Sequence, residues 1–498
     1  MFRKMLIANR GEIAVRIERT CREMGIQTVA LYEAADRRSL HVRLADECVP
    51  LNSPQGFLDG QAILEIAQAK GVDAIHPGYG YLAEEASFIR ACNEADIVFI
   101  GPPAVVVERV RHKIDTLRRA RAAGFPTVEY APTIFDADDL AGDDGRALHE
   151  AVAHLGYPVV IKSCSGGRGR GERLVWSADR LLEAARRAQA EAQAVYGNRR
   201  VYLERAILPA HQVGVQIVAD EYGRLIHLGE REGSVQYGSR KVIEEAPAPC
   251  LTQPQREHLW QTALDLARLF EYQNVGTVEF LVDGSGQFYF TEFKARIQVE
   301  HPLTEMVAQV DLVREQLRLA AGEPLTLEQA GVQLKGWGVL AHVNAEDPWQ
   351  RFLPGPGRLQ RVRLPGGPGV RVDSYVYSGC DVPAAYDPLV AKLVAWAADR
   401  PQTVERLRRA LAETVLVGTP VNLSLLRRIL GTPEVAAGTY TTEFLARPLP
   451  DEEQPESYWR DLAVTAAVLY VRRNQAFHPA VPERTLSGWH QDSRRLPQ

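Results

Sequence analysis

From Glu292 to Glu300 polar and apolar residues alternate without a break. Glu292, Lys294, Arg296, Gln298 and Glu300 fall on one parity, Phe293, Ala295, Ile297 and Val299 on the other. Side chains of a strand point to opposite faces with period two, so the pattern predicts an extended segment with its polar groups on one face. At about 3.3 Å per residue these groups span less than ~30 Å. His301-Pro302 follows, and proline ends strand pairing. A shorter alternation at Thr277, Val278, Glu279 and Phe280 predicts a second strand, so that two carboxylate-bearing strands can be neighbours. Two readings of this face are open. It is a solvated surface with cross-strand ion pairs, or Glu279 and Glu292 form a magnesium site, because a hard cation takes oxygen ligands and shares them with nucleotide phosphates.

Upstream, Met5–Ala8 is a short buried-strand pattern, followed by an amphipathic helix from about Ile13 to Met24, a stop at Gly25 and a strand over Gln27–Tyr32. Strand, helix, strand implies a parallel sheet. The pattern recurs with helices near Gln61–Lys70 and Glu84–Glu94 and strands at Ala74–Ile75 and Ile97–Ile100, so residues 1 to about 112 read as a doubly wound unit. Asn9-Arg10-Gly11 and His76-Pro-Gly-Tyr-Gly80 fall at carboxyl ends of strands, where such sheets bind ligands. Structural turns are the commoner explanation of such glycine-containing stretches.

A second unit starts with a helix at Lys113. Tyr157–Lys162 predicts a strand ending in lysine, then a turn containing Gly166, Gly167, Gly169 and Gly171, then a strand over Glu172–Trp176. Backbone N–H groups of such a turn can cradle phosphate oxygens, with Lys162 as a point charge. It is not a Walker loop, since the lysine precedes the glycines and a strand follows. A polar hairpin loop is the alternative. Glu204, Gln216, Gln236 and Lys241 fall on strands or their ends, ahead of a helix near Gln255–Phe270. A helix from Val310 to Ala321 and a mostly β region from Lys335 come next. The tail carries a linker around Glu452–Glu456 and a helix near Tyr458–Arg473.

Length and charge narrow the classes of function. The 498 residues suffice for about three domains. Lysine plus arginine number 58 against 63 acidic residues, so no broad basic field serves nucleic acid. Anionic ligands must be held locally. The six cysteines are scattered without metal-ligand spacing, as expected of a reduced, cytoplasmic protein. No apolar run reaches the ~18 residues of a membrane helix, so no membrane partner is expected.

Taken together these residues resemble the biotin carboxylases, ATP-grasp ligases that serve as subunits or domains of acyl-CoA, pyruvate and related carboxylases. The likeness runs from residue 3 to about 446. It rests on Ile7-Ala-Asn-Arg-Gly-Glu-Ile13, Leu40-His-Val-Arg-Leu-Ala-Asp-Glu47, His76-Pro-Gly-Tyr-Gly80, Glu245-Ala-Pro-Ala-Pro249, Arg296-Ile-Gln-Val-Glu-His-Pro302 and Asn344-Ala-Glu-Asp347. The tail resembles the segment that follows this region in some acyl-CoA carboxylase alpha chains. The resemblance implies an α/β fold: a Rossmann-like pre-ATP-grasp domain over 1–112 and an ATP-grasp domain over 113–330 with a mobile lid at about 130–205. A mixed α+β C-terminal domain over 331–446 and a linker helix and tail over 447–498 complete it.

It further implies that ATP and bicarbonate form carboxyphosphate, which yields carbon dioxide to N1 of biotin. Lys113, Lys162, Glu204 and Lys241 would hold ATP beside Gln236, and Gly166, Gly167, Gly169 and Gly171 would belong to the lid. Glu279 and Glu292 would bind magnesium or manganese. Arg296, Gln298 and Val299 would hold bicarbonate, and Glu300 would be the general base. An ordinary carboxylate pKa near ~4 makes a weak base, so neighbouring charge and burial must tune it. For Tyr79 and Glu84 the resemblance implies proximity only. No Met-Lys-Met-type biotinylation site occurs, so the expected partners are a biotin carboxyl carrier protein and a carboxyltransferase subunit, in a homodimer or larger complex.

Several positions depart from the family. His342 stands where an arginine stabilises the biotin enolate. An imidazole is shorter and, with an ordinary pKa near ~6.5, only partly charged at neutral pH. Losing one oxyanion donor typically costs ~100- to 1,000-fold in rate. Leu340 replaces a usual glutamate and Lys294 a usual asparagine beside Glu292, where an ammonium either repels magnesium or shares its role. Gln212 and Ser239 replace histidines, and Gly214 an acidic residue. In the lid, Cys164, Ser165, Arg168 and Glu172 displace Ser, Gly, Gly and Met. A working biotin carboxylase subunit is the leading expectation. A catalytically impaired structural or regulatory subunit, or an ATP-grasp ligase with another acceptor, are the alternatives.

Overall fold

The first apolar runs become strands β1 (Lys4–Ile7), β2 (Gln27–Tyr32), β3 (Glu47–Pro50), β4 (Ala74–His76) and β5 (Val98–Phe99). The structure is a computed structural model and describes residues 1–136, 139–140, 145–164, 172–447, 449 and 456–476. The five strands pair in parallel in the order β3-β2-β1-β4-β5. Such a sheet is covered on both faces, and Met5, Leu6 and Ile7 are accordingly buried in succession rather than alternately. Helices α1 (Gly11–Glu23), α2 (Gly60–Ala69) and α3 (Ala86–Glu94) supply crossovers. Gly25, with φ of +72°, follows the end of α1 in the left-handed conformation open to glycine.

Strand order reverses between β1 and β4, and the turns after these strands meet there. Asn9 donates from Nδ2 to the carbonyls of Pro77 (2.7 Å) and Tyr79 (2.8 Å). Gly78 lies at φ +62°, and a Cβ on it would stand 2.9 Å from Asn9 Nδ2, so this turn requires glycine.

Helix α4 (Lys113–Ala122) leads to a three-stranded antiparallel sheet of β6 (Val159–Ser163), β7 (Arg173–Val175) and β8 (Val201–Arg205), in the order β7-β6-β8. Its own core includes Phe135, Leu148, Val152, Ile161 and Leu203.

The sheet that carries the site has eight strands: β9 (Ala210–Ala219), β10 (Leu225–Tyr237), β11 (Arg240–Ala246), β12 (Asn274–Asp283), β13 (Phe288–Lys294), β14 (Trp337–Asn344), β15 (Val370–Ser374) and β16 (Leu389–Ala397). They run in the order β13-β12-β9-β10-β11-β14-β16-β15, so three strands from the C-terminal third of the chain extend the sheet begun by β9 to β13. Helix α5 (Gln253–Leu269) starts with a capping box of Thr252 and Gln255.

The expected strand from Glu292 through Glu300 is corrected here. Pairing stops at Lys294, opposite Thr277. Beyond it Glu84 takes the Ala295 N–H (3.1 Å) and Arg296 Nε (3.2 Å), so the chain is drawn from the sheet edge into a loop by a carboxylate acceptor. Helix α6 (His301–Ala308) then begins with Pro302 in its first turn, where the missing N–H costs nothing. The helix expected from Val310 is α7 (Leu312–Ala320), set off from α6 by Gln309 at φ +58° and capped by Asp311, which accepts from the Arg314 N–H at 2.8 Å.

Residues 448–498 form a second unit. Its described helix, α8 (Glu456–Ala476), exposes Leu462, Val468 and Tyr470. Among the described residues no helix is long and apolar enough to cross a membrane.

Candidate active site

Strands β12 and β13 place Glu279 directly opposite Glu292. Gln298 Nε2 donates to Glu279 Oε1 at 2.7 Å, and Gln212 Nε2 reaches Oε2 at 3.4 Å. Gly214, the neighbour of Glu279 on β9, leaves it room: a Cβ there would stand 3.2 Å from Glu279 Oε1. Lys294 Nζ lies 2.7 Å from Glu292 Oε1 and Lys113 Nζ 3.6 Å from Oε2. Burial pushes the Glu292 carboxyl up, but Lys113, Lys294 and Lys162 outweigh it and hold it at about 2. Two carboxylates on adjacent strands are a donor set that suits magnesium, which takes one or two carboxylates and completes its shell with phosphate oxygens and water. The lysine at 2.7 Å must give way for Glu292 Oε1 to serve as a ligand.

Glu300, at the start of α6, is the next ionised carboxylate along the site. Lys241 Nζ lies 2.5 Å from Glu300 Oε1, 3.2 Å from Glu244 Oε2 and 3.9 Å from Glu279 Oε1. Burial raises the Glu300 carboxyl, and Lys241, Arg231 and His342 more than reverse it, so the group is held well below the ordinary carboxylate range. The tuning therefore runs against basicity. A carboxylate held this way takes a proton only after Lys241 exchanges it for another anion. On the lysine itself burial is outweighed by Glu244, Glu279 and Glu300, which keep it charged.

Gln298 is spent at both ends: its Oε1 accepts from Arg231 Nη2 at 2.6 Å while its Nε2 serves Glu279. Arg296 is anchored by Glu84 and by its own Nη1 to the Ile297 carbonyl at 3.0 Å. The Val299 carbonyl accepts from Lys392 Nζ at 2.9 Å, and the same ammonium pairs with Glu12 at 2.8 Å. Tyr79 donates to Glu12. Gln236 lies opposite Lys241 across the β10–β11 hairpin. His342 on β14 places Nε2 2.8 Å from Glu244 Oε1.

On the smaller sheet, Lys162 and Glu204 are paired at 2.8 Å, and Tyr202 donates to the same carboxylate at 2.6 Å. Lys113 also lies 3.6 Å from Glu172. Gly166, Gly167, Gly169 and Gly171 lie outside the described residues.

Three residues of this network escaped the reading of the sequence. Arg231 is fully buried and bonds Gln216, Thr277, Gln298 and Thr304. Glu244 joins Lys241 to His342. Lys392 reaches the site from β16. The only local signal was charge inside otherwise apolar strands, as in Gly229-Glu-Arg-Glu232 and Val242-Ile-Glu-Glu245.

The chain matches known protein families along most of its length. Residues 1–107 match the family described as biotin carboxylase, N-terminal domain, residues 122–328 the carbamoyl-phosphate synthase L chain, ATP binding domain, and residues 341–447 the biotin carboxylase C-terminal domain. The chain is 44% identical over 447 residues to a biotin carboxylase of Nostoc sp., covering 89% of this chain and 98% of that one. It is 38% identical over 498 residues to the propionyl-CoA carboxylase alpha chain of Ruegeria pomeroyi, covering 94% of this chain and 72% of that one. Among solved structures, the biotin carboxylase domain dimer of Hydrogenobacter thermophilus 2-oxoglutarate carboxylase, in complex with MgADP, ADP and bicarbonate, matches with a TM-score of 0.85 at 38% identity. That match covers 90% of this chain and 97% of that one.

Proposed function

The chain belongs to the biotin carboxylase family of ATP-grasp ligases, and on that premise we propose that it carboxylates biotin presented by a carrier protein, using ATP and bicarbonate, as the biotin carboxylase subunit of an acyl-CoA carboxylase-type complex. The observation that carries this reading is the unbroken run of charged groups from the carboxylate pair Glu279 and Glu292 through Lys241 to Glu300. It ties the place where phosphate charge would be neutralised to the place where a proton would be taken.

Lys113, Lys162 and Lys241 hold phosphate oxygens as point charges, with Glu204 fixing the Lys162 ammonium. Glu279 and Glu292 would hold magnesium, which would supply neutralising charge for the phosphates in phosphoryl transfer. Arg296, oriented by Glu84, presents its guanidinium to bicarbonate with Gln298 and the Val299 backbone beside it. Glu300 takes the bicarbonate proton once Lys241 has turned to the phosphates. His342 stands at the biotin end. With Nε2–H donating to Glu244, a neutral ring has no proton on Nδ1 and can donate to a ligand only as the imidazolium.

The acyl-CoA assignment is supported by the longer match to the propionyl-CoA carboxylase alpha chain, 94% of this chain against 89% for the Nostoc biotin carboxylase. Biotin carrier and carboxyltransferase are the partners this implies. A homodimer is the proposed assembly, by analogy with the Hydrogenobacter domain dimer.

The test is bicarbonate-dependent MgATP cleavage with and without free biotin, in the native protein and in His342→Arg. Biotin should stimulate the native protein, and the arginine should raise the stimulated rate by ~10- to 100-fold, part of what one oxyanion donor is worth. Absence of stimulation in both proteins would sink the reading. A second reading, a structural or regulatory subunit of reduced catalysis, is favoured by Lys294 on Glu292 and by His342 bound to Glu244. It predicts that only the arginine variant responds to biotin. Turnover that ignores biotin but rises with an amine or carboxylate would instead indicate a ligase with another acceptor.

A further inference from the structure

The reverse face of the same sheet carries a second cluster. Gln212 reaches Glu279 on the site face, so its neighbour His211 points to the other side. Glu232 on β10 pairs with Val213, which shares the parity of His211, and Cys250 lies in the turn between β11 and α5. The ring nitrogen, carboxylate oxygen and sulfur all lie within 4.8 Å of one another.

Glu232 is fully buried. Its Oε1 lies 2.6 Å from His211 Nδ1 and accepts from Ser234 Oγ at 2.7 Å. Its Oε2 is buried and accepts no hydrogen bond of ordinary geometry from the described residues, although the Cys250 thiol lies beside the carboxylate. Two other carboxylates bearing on this cluster each have an arginine: Glu230 pairs with Arg256 at 2.7 Å and Glu245 with Arg400 at 2.8 Å. Glu232 has an imidazole in that place. Burial first, and the Glu232 charge second, push the Cys250 thiol far above its ordinary range.

We propose that His211, Glu232 and Cys250 form a binding site for a divalent transition metal of the zinc class, separate from the magnesium pair. One nitrogen, one oxygen and one sulfur donor suit a borderline-soft cation and not magnesium. Bond lengths of about 2.0 to 2.3 Å put the ligand atoms of one such ion ~3.3–3.8 Å apart, so the His211–Glu232 pair opens from 2.6 Å while the other separations, all within 4.8 Å, adjust by side-chain rotation. On binding, the thiol proton leaves to solvent and the imidazole proton moves from Nδ1 to Nε2. The dication then balances one thiolate and one carboxylate, and the buried site is neutral. Ser234 Oγ, which bonds Glu232, also accepts the Gln212 N–H at 3.0 Å, so the ion would brace the strand that presents Gln212 to the active site.

The full chain, stripped with a chelator and held in excess magnesium, is titrated with cobalt(II). A thiolate-to-cobalt absorption band should saturate near ~1 equivalent per chain, vanish in Cys250→Ser, and require ~10- to 100-fold more cobalt in His211→Gln; zinc should displace it. An unchanged far-ultraviolet circular dichroism spectrum of metal-free Cys250→Ser separates loss of the site from loss of the fold. No thiolate band in the native protein, or the same band and affinity in Cys250→Ser, overturns the proposal. If Cys250→Ser does not fold, His211→Gln decides: unchanged cobalt affinity there overturns it.

Discussion

Glu292 and Glu300 lie on one short stretch, the first partly buried and the second buried, and both carboxyls are held far down in their titration, but by opposite arrangements of charge. Around Glu292 cations are in excess: Lys294 at 2.7 Å, Lys113 at 3.6 Å and the more distant Lys162 surround one carboxylate. Around Lys241 anions are in excess: Glu300, Glu244 and Glu279 share one ammonium. The first arrangement is ready for an anion, because each lysine can turn to a phosphate and leave Glu292 ionised for a metal. In the second, the basicity of Glu300 depends on a partner that three carboxylates hold in place. Burial alone would have made Glu300 a stronger base. At such separations a single pair is worth ~4 kcal/mol at an effective dielectric constant of ~20, enough to reverse that effect.

Glu300→Gln tests the base end most severely. Biotin-dependent carboxylation should fall by ~100- to 10,000-fold, the usual worth of a general base, with MgATP affinity nearly unchanged. An equal loss of nucleotide affinity, read by equilibrium dialysis, would break the distinction between the two ends. Lys294→Asn sharpens the other end. Removing the ammonium that competes at Glu292 should lower the magnesium concentration for half-maximal ATP cleavage by about 10-fold, the scale of a neighbour that tunes a metal ligand. A higher requirement would mean that Lys294 assists the metal.

The smallest effect is on stability. The folded carboxyl of Glu292 sits at about 2, below its ordinary 4.5, so ionisation favours the folded state. That contribution is complete above about 4.5 and is lost as pH falls towards 2. Urea unfolding at stepped pH should show the decline, and in Lys294→Met it should be smaller and end at a higher pH. An identical acid limb in the variant would show that Lys113 and Lys162 suffice.

Much of this was legible in the linear chain, for reasons that particular residues make plain. The buried runs of β1 to β5 and the amphipathic α1 are local patterns, and local patterns survive folding because side-chain direction follows backbone period. That Glu279 and Glu292 stand on strands able to be neighbours was legible for the same reason; the register that sets them opposite was not. The strand to Glu300 was not, because alternation says only which way side chains point if the chain stays extended, and Glu84, far upstream, supplied the acceptors that ended it. Gln298 was legible as an amide of this stretch, but its bonds to Arg231 and Glu279 were not.

By itself, then, the sequence determined the elements, the family and the set of charged side chains available to the site. Tertiary structure decided which of them pair. It set Lys241 among three carboxylates, brought Lys392 to Val299 and gathered His211, Glu232 and Cys250, whose spacing along the chain carries no metal signature. Periodicity is a property of neighbours along the backbone, whereas ionisation depends on distance and burial in the folded state. For Glu300 those two act in opposite directions, and the 2.5 Å approach of Lys241, joined by Arg231 and His342, settles which prevails.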